Sequence, residues 1–258
     1  MTRDDHALAR DLAGQAGQRL LELRAQGGDP DVLRKAGDRL SHEFLAAALA
    51  GQRPGDVVLS EEGADNPARL GARRVWIVDP LDGTREFGEP GRSDWAVHVA
   101  LWEKGDVSGP GDLTAGAVAL PAQGTVLSTA EPPPPLPEDV ASTPRLRIVV
   151  SRSRPPSFVR NISGLINAEL VPLGSAGAKV AAVICGEVDA YVHGGGFYEW
   201  DTAAPVAVAR AAGLHASRID GSALAYNQPD LLMPDILVCR PAVAGILLRA
   251  IREVTHAS

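Results

Sequence analysis

The chain has 258 residues and a formal net charge of −7, with 45% hydrophobic and 22% charged residues. This composition is ordinary for a soluble globular protein, and the length suits one large domain or two smaller ones sharing an interface. The negative charge gives no general attraction to nucleic acid or anionic lipid, and no apolar run is long enough to span a bilayer. The sequence starts without a secretory signal, so we expect a cytoplasmic protein whose two cysteines, Cys185 and Cys239, are buried and reduced.

Two helices are predicted at the start of the chain. Apolar residues at every fourth position predict an amphipathic helix from Asp5 to Arg24, and the turn-forming residues 27–30 end it. A second helix is predicted from about Asp38 to Ala50. Short apolar runs then predict the strands of the first half, at Val57–Leu59, Val75–Val78, Trp95–Leu101, Gly116–Ala119 and Thr125–Leu127.

A proline-rich stretch, residues 131–137, is expected to be an extended, exposed loop between two subdomains. We therefore divide the chain into an N-terminal subdomain, 1–142, and a C-terminal subdomain, 143–258. In the second half, strands are predicted at 146–150, 188–192 and 236–239, and helices near 175–185, from about 202, and at 243–254. This mixture of strands and helices predicts a layered α/β or α+β fold.

The stretch from Trp76 to Phe87, WIVDPLDGTREF, places two carboxylates three residues apart at the end of a predicted strand. Pro80 has no N–H for a sheet ladder, so we expect the strand to stop at Asp79. Gly83 permits a positive φ, and Thr84 suits the N-cap of a following helix. Carboxylates bind hard cations such as Mg²⁺, and free amides at a helix N-terminus bind phosphate. The string therefore indicates a site for a metal and an anion.

Further acids are expected at the ends of predicted elements: Glu61 and Glu62 after a strand, Asp38 at a helix start and Asp201 before an Ala-rich helix. Each alone is more often a solvated surface group or a helix cap. Their shared position at element ends, where layered sheets assemble ligand sites, favours one common acidic site.

The motifs D…EE…DPLDGT…WDTA, in this order, resemble the signature of the Mg²⁺-dependent, lithium-sensitive phosphomonoesterases. These include inositol monophosphatase, fructose-1,6-bisphosphatase and the bisphosphate nucleotidases. The resemblance runs from Asp38 through Tyr226–Asn227, and residues 74–87, 174–179 and 199–204 look most like the bacterial 3′(2′),5′-bisphosphate nucleotidases of the actinobacterial type. It implies an α+β fold, the layered αβαβα sandwich of inositol monophosphatase and fructose-bisphosphatase.

The resemblance also implies a metal site of two or three Mg²⁺ ions. Its ligands would be the carboxylates of Glu61, Asp79, Asp82 and Asp201 and the backbone carbonyl of Leu81.

Catalytic roles follow from the same resemblance. Asp38 and Thr84 would orient and deprotonate the attacking water, with Glu61 as a further catalytic group, and the amides of Gly83 and Thr84 would hold the phosphate. The chain departs from many relatives before Asp38, where it has Lys-Ala-Gly rather than Thr-x-Ala. His98 lies in an apolar strand pattern, which predicts a core histidine rather than a ligand.

Basic residues of the second half indicate the substrate. Arg152 and Arg154 follow a predicted strand, and Lys179 follows the Gly174–Ser175 turn, so these groups are expected to bind a second phosphate. A solvated loop is the other interpretation of the two arginines. Binding of a second phosphate favours a small bisphosphate nucleotide, 3′-phosphoadenosine 5′-phosphate, which would be hydrolysed to AMP and phosphate.

Two alternatives stay open at the level of sequence. One is inositol-1-phosphatase or fructose-1,6-bisphosphatase activity on the same site, and the other is a non-catalytic metal- or nucleotide-binding regulator. The oligomeric state is also open, with a homodimer as one option.

Overall fold

The structure is a computed structural model that describes residues 4–105, 111–136, 145–153 and 155–256. Within these ranges seven α-helices and twelve strands form, together with two short 3₁₀ turns. The helices are α1 (Asp5–Ala25), α2 (Pro30–Gln52), α3 (Thr84–Gly88), α4 (Ser157–Leu165), α5 (Ala176–Ile184), α6 (Glu199–Ala211) and α7 (Pro241–His256). The strands are β1 (Val57–Ser60), β2 (Arg74–Asp82), β3 (Ala96–Glu103), β4 (Asp112–Leu120), β5 (Thr125–Ser128), β6 (Arg147–Ser151), β7 (Glu169–Leu173), β8 (Ala190–His193), β9 (Phe197–Tyr198), β10 (His215–Ser217), β11 (Leu232–Met233) and β12 (Ile236–Cys239).

The first half forms a five-stranded sheet in the order β1-β2-β3-β4-β5. β1 and β2 are parallel, and the other pairs are antiparallel. Helices α1 and α2 cover its outer face, where Leu12 and Leu45 pack with Trp76 and Val78 in one buried cluster. The predicted amphipathic helix is thus present as α1, and its apolar residues cover one face of the sheet.

The second half forms another five-stranded sheet, in the order β10-β12-β8-β6-β7. Helices α4 and α7 cover its outer face, where Val159 and Leu247 pack with Ile148 and Leu237.

Helices α5 and α6 fill the space between the two sheets. Side chains alternate along a strand, so Val75 and Ile77 of β2 face this middle layer while Trp76 and Val78 face α1 and α2. The middle cluster also takes Val238 from the second sheet. The layers therefore run αβαβα, and the predicted α+β layered sandwich is confirmed.

Both halves of the chain contribute to that middle cluster. The predicted subdomain boundary at 142/143 falls outside the described residues, so the two-subdomain division stays a prediction. The described part of the proline-rich stretch is mostly exposed, although Leu136 packs against the middle cluster.

Helix α2 begins eight residues before its predicted start. Asp29 caps it by accepting hydrogen bonds from the N–H groups of Asp31 and Val32, and Pro30 occupies the first turn, where a missing N–H costs nothing. The Asp29–Pro30 pair is a helix start and not only the end of a turn. The prediction that Asp38 lies at a helix start was therefore wrong, because Asp38 lies inside α2.

Strand β2 continues beyond its predicted end at Asp79. Its pairing with β3 shifts register between Asp79 and Asp82, so Pro80 lies in an irregular, bulge-like stretch where a missing donor is tolerated. The cap of α3 is Gly83, at φ 84°, and not Thr84, which is the first helical residue. Gly83 fits here because residues with a side chain rarely adopt this positive-φ backbone conformation.

The remaining differences concern short elements and one cysteine. Strands β7, β9, β10 and β11 and helix α4 were not predicted. Cys185 is exposed, so its predicted burial was wrong, whereas Cys239 is buried and both thiols are free. Among the residues described, no helix has both the length and the apolar character needed to cross a membrane.

Candidate active site

Asp79 and Asp82 of the WIVDPLDGTREF stretch lie at the end of β2, on the boundary between the two halves. Asp79 and Asp82 are both buried, with 1% and 7% of their surface exposed. Asp201 comes from the other half and lies in the first turn of α6, so the prediction that it precedes this helix was wrong. The charges of Asp79, Asp82 and Asp201 lie close enough to perturb one another's protonation.

Asp79 has the surroundings that best fit a bound cation. Its Oδ1 accepts the Leu81 N–H at 3.0 Å. No N–H or O–H of another described residue donates to its buried Oδ2, and the neighbouring Glu61 carboxyl group is close enough to share a proton with Asp79. Burial, followed by the charges of Glu61, Asp82 and Asp201, raises the pKa of Asp79 well above its ordinary value. A buried, unpartnered carboxylate oxygen among other carboxylates is what a hard divalent cation stabilises, so these residues fit Mg²⁺.

Glu61 and Asp201 complete the acidic cluster. Desolvation and then the charge of Asp201 raise the pKa of Glu61, although the residue as a whole is exposed. Burial and then the charge of Asp82 raise the pKa of Asp201, whose Oδ2 accepts the Tyr198 N–H at 2.5 Å.

Asp82 differs from its neighbours because it caps the start of α5. Its Oδ2 accepts hydrogen bonds of 2.6 Å from both the Ser175 hydroxyl and the Gly177 N–H, and its Oδ1 accepts the Ala176 N–H at 3.2 Å. Burial alone would raise the pKa of Asp82, but the charge and contact of His98, then the charge of Lys179 and the Ser175 hydrogen bond, lower it to about 2. Asp82 is therefore a fixed anion at the junction of the two halves.

Thr84 and Asp38 form the pair that was predicted to act on water. The Thr84 hydroxyl lies 3.2 Å from Asp38 Oδ1 and 3.0 Å from the Leu81 carbonyl oxygen. Burial, and then the charge of Glu62, raise the pKa of Asp38 to about 6. The hydroxyl has one proton and two acceptors beside it, so a cation on the Leu81 carbonyl would direct that proton to Asp38.

Thr84, Asp82 and Asp201 line one cavity of about 650 Å³, whereas Asp38, Glu61 and Asp79 are not among its lining residues. Its walls come from both halves of the chain, and they include Asp82, Gly83, Thr84, Gly174, Ser175, Lys179 and Asp201. The structure thus brings the predicted phosphate-binding residues and the Gly174–Ser175 turn to the same space as two of the acids.

The basic residues predicted to bind a second phosphate do not all lie at the cavity. Lys179 lines the cavity with its side chain buried, and its ammonium group donates to the Gly174 carbonyl and, at 2.7 Å, to the Ser175 carbonyl. One N–H of its three is left for a ligand. Arg152 instead donates to Glu86 at 2.7 Å and Glu89 at 2.9 Å. Arg154 lies outside the described residues.

Two features of the site were missed from sequence. His98 is fully buried, as predicted for a core histidine, but its Nε2 lies 3.2 Å from Asp82 Oδ2. The carboxylate of Glu199 accepts the N–H groups of Asn227 and Gln228 at 2.7 Å and so holds the start of α6 in place. Neither contact leaves a local sequence signal, because each joins residues far apart in the chain.

Comparison with known proteins agrees with this geometry. A model of the inositol monophosphatase family matches residues 6–256. The 3′-phosphoadenosine 5′-phosphate phosphatase of Mycobacterium leprae (strain TN) is 51% identical over 255 residues, covering 97% of this chain and 94% of that protein. The 3′(2′),5′-bisphosphate nucleotidase CysQ of Escherichia coli (strain K12) is 30% identical, covering 84% of this chain and 91% of CysQ.

The fold has solved relatives as well. The crystal structure of inositol monophosphatase II from Staphylococcus aureus MSSA476 superposes with a TM-score of 0.81 at 21% identity, covering 98% of this chain and 96% of that one. Because the family model matches nearly the whole chain, the chain belongs to the inositol monophosphatase family.

Proposed function

We propose that this protein is a Mg²⁺-dependent phosphatase that hydrolyses 3′-phosphoadenosine 5′-phosphate to AMP and phosphate. Its role would be to clear this by-product of sulfate assimilation in the cytoplasm. The observation that carries the proposal is the hydrogen bond from Thr84 to Asp38, because Thr84 lines the same cavity as Asp82 and Asp201. Identities of 51% and 52% to mycobacterial proteins named for this activity support the choice of substrate.

The proposed metal ligands are the carboxylates of Glu61, Asp79, Asp82 and Asp201 and the carbonyl of Leu81, with two or three ions per site. The buried Oδ2 of Asp79 supports this set. Burying a carboxylate oxygen without a hydrogen-bond donor costs free energy, and a bound cation would offset that cost. When bound, Mg²⁺ would neutralise the phosphate and acidify the attacking water.

Thr84 and Asp38 would position and deprotonate that water. If the Thr84 hydroxyl donates to Asp38, its oxygen is free to accept a hydrogen from the water and fix its line of attack. The raised pKa of Asp38, about 6, makes it a stronger base near neutral pH than an ordinary aspartate. We assign Glu61 to the same catalytic set.

Substrate groups would be held from two sides of the cavity. On the first-half side, the amides of Gly83 and Thr84 would hold the phosphate that is cleaved. On the other side, the Gly174–Ser175 turn and the remaining N–H of Lys179 would face the leaving nucleotide. Arg152 and Arg154 stay proposed ligands of its second phosphate, and Arg152 would have to leave its ion pairs with Glu86 and Glu89 to bind it. The homodimer stays a prediction, which light scattering of the purified chain would test.

A panel of three substrates tests the proposal. Steady-state hydrolysis of 3′-phosphoadenosine 5′-phosphate, inositol-1-phosphate and fructose-1,6-bisphosphate would be measured with Mg²⁺. We expect kcat/KM for the bisphosphate nucleotide to exceed the other two by at least about tenfold, a difference of ~1.4 kcal/mol in transition-state binding. A preference for inositol-1-phosphate or fructose-1,6-bisphosphate would show that the proposed substrate is wrong. Inactivity on all three would support the non-catalytic regulator instead.

A further inference from the structure

Glu61 is the first residue of a surface segment, residues 61–73, that connects β1 to β2 and is called the Glu61 loop below. Every residue of this loop is described, and only Arg69 among them is buried, with 1% of its surface exposed. A charged side chain is rarely buried so fully unless its N–H groups are paired. The loop that carries a proposed metal ligand therefore has one fully buried side chain with which to hold its position.

The guanidinium group of Arg69 contacts the second half of the chain. Its Nη1 donates to Asn227 Oδ1, and its Nη2 donates to the Gln228 carbonyl oxygen, both at 2.9 Å. Asn227 in turn donates from Nδ2 to the Arg69 carbonyl at 3.1 Å. Within the loop, Arg69 Nε donates to Asp65 Oδ1 at 2.7 Å. Because the guanidinium presents its donors in a rigid planar fork, these contacts fix both the position and the orientation of the loop.

The partners of Arg69 are themselves held by the helix that carries Asp201. Glu199, the first residue of α6, accepts the backbone N–H groups of Asn227 and Gln228 at 2.7 Å. Asp201 follows in the same first turn. A continuous series of hydrogen bonds thus runs from the Glu61 loop to the start of α6, and it joins the segments that carry two proposed ligands from opposite halves of the chain.

The backbone of Asn227 indicates what its side chain contributes. Its φ is 58°, in the region that glycine adopts most readily and that asparagine tolerates. Glycine would fit this backbone at lower cost, so what asparagine adds here is its two hydrogen bonds with Arg69. The reciprocal contact between these two side chains is therefore separable from the turn itself.

We propose that Arg69 is a positioning residue of the metal site. Together with Asn227 it holds the Glu61 loop against the start of α6, and it thereby sets the position of the Glu61 carboxylate relative to Asp201. Arg69 is not a proposed ligand and acts only through Glu61. Without it the loop would keep only exposed and partly buried residues, so Glu61 would spend part of its time away from the other acids. That Glu61 binds the metal rests on the proposed function.

Mg²⁺ binding to the metal-free full chain, without substrate, tests this role. Calorimetric titrations would compare the wild type, Arg69→Ala, Glu61→Gln and the double variant. We expect Arg69→Ala to lower Mg²⁺ affinity at least about tenfold when Glu61 is present, but less than about threefold in the Glu61→Gln background. The reason is that a residue acting only through Glu61 has nothing to position once that carboxylate is gone.

Two further variants separate positioning from a general loss of stability. Asn227→Gly removes the amide that contacts Arg69 but keeps the backbone N–H to Glu199, and it suits the positive φ, so it should weaken Mg²⁺ binding without straining the turn. Arg218→Ala is the matched control. Arg218 donates to both oxygens of Asp235, at 2.7 and 2.6 Å, beside the outer face of the second sheet. Its loss should lower Tm and leave Mg²⁺ affinity unchanged.

Hydrogen exchange of the metal-free chain, followed by mass spectrometry, measures the anchor without any metal. Exchange in Arg69→Ala and Asn227→Gly should become faster in residues 61–73 and around 227–228, and stay unchanged in the strands of both sheets. Unchanged exchange in the loop would overturn the proposal. If Arg69→Ala does not fold, Asn227→Gly provides the same comparison.

The binding cycle has two outcomes that contradict the proposal. Equal losses of Mg²⁺ affinity with and without the Glu61 carboxylate would mean that Arg69 acts on the site by another route. Wild-type affinity in Glu61→Gln would remove Glu61 from the ligands, and this role of Arg69 with it. The phosphatase activity itself is decided separately, by the panel of three substrates on the wild type.

Discussion

The Ser175 hydroxyl donates a 2.6 Å hydrogen bond to Asp82 Oδ2 and thereby ties helix α5 of the second half to the end of β2 in the first. The N–H groups of Ala176 and Gly177 add to this contact. An anion at a helix N-terminus is stabilised by the helix dipole as well as by these hydrogen bonds. One aspartate thus belongs both to the proposed metal site and to the turn that lines the leaving-group side of the cavity.

Ser175→Ala should weaken both metal binding and the fold. Asp82 loses the donor that orients its Oδ2, so the half-saturating Mg²⁺ concentration should rise about tenfold or more. The same hydrogen bond is present in the metal-free chain, and a hydrogen bond to a charged group contributes about 1.5–3 kcal/mol, so its loss also lowers stability. Loss of its cap to the Ala178 N–H should cost about 1 kcal/mol of stability. Mg²⁺ titrations of turnover and thermal unfolding would measure both effects.

Ser217→Ala is the control for that experiment. Ser217, on the remote strand β10, is also buried, and its hydroxyl donates to the Arg218 carbonyl. It should lose stability with no change in Mg²⁺ dependence. Equal half-saturation in wild type and Ser175→Ala would show that Asp82 does not need this donor.

Asp82→Asn and Asp201→Asn should each lose most of their activity while staying folded. Each change keeps the size of the side chain but removes one negative charge from the proposed Mg²⁺ ligands. Turnover as a function of Mg²⁺ concentration, with circular dichroism as a check on folding, measures the effect. If a variant keeps wild-type turnover and Mg²⁺ dependence, the aspartate replaced in it is not a metal ligand.

Lys179→Ala and Arg152→Ala should raise KM for the bisphosphate nucleotide by about tenfold per effective contact and leave inositol-1-phosphate nearly unaffected. The reason is that only the nucleotide carries a second phosphate. Both variants would be assayed on both substrates. Equal losses on the two substrates would mean that Lys179 serves to hold the Gly174 and Ser175 carbonyls and that Arg152 serves to pair with Glu86.

The metal-free protein should lose stability as pH rises from about 4 to about 7. The pKa of Asp38 is raised from 3.8 to about 6 and that of Glu61 from 4.5 to about 7, so the folded state binds more protons than the unfolded state across this range. Stability then falls with rising pH until the folded pKa values are passed. Asp82 acts in the opposite direction, but only at lower pH.

Thermal unfolding in the presence and absence of a chelator measures this dependence. Mg²⁺ should raise Tm more at about pH 7.5 than at about pH 5, because it replaces the protons that the carboxylates have lost. A Tm shift that is independent of pH would mean that these carboxylates do not share the ion.

Much of the architecture could be predicted from local pattern. The five strands of the first sheet were all predicted, because alternation and short apolar runs reflect burial on two faces. The strand and turn around Asp79 and Asp82 were also found, since Pro80 and Gly83 mark an unusual backbone path. Adjacent strands and turns leave such signals within about ten residues of chain.

The contacts that complete the site could not be found in this way. Asp38 contacts Thr84 from the interior of α2. Inside a helix, the local sequence around a functional aspartate looks the same as the sequence around a solvent-exposed one. His98 meets Asp82 and the Trp200 carbonyl only because α6 crosses the first sheet. Such pairings depend on the packing of layers, which one sequence does not encode locally.

Turnover of 3′-phosphoadenosine 5′-phosphate by Thr84→Ala and Thr84→Ser at saturating Mg²⁺ tests the central claim most directly. Serine keeps the hydroxyl that lies 3.2 Å from Asp38, whereas alanine removes it and leaves every proposed metal ligand in place. We predict a loss of about 100-fold or more in kcat for the alanine variant and less than about tenfold for the serine variant, since positioning a proton acceptor contributes ~10²–10⁴-fold. Wild-type turnover in Thr84→Ala, or a wild type that leaves this nucleotide intact, would contradict the account.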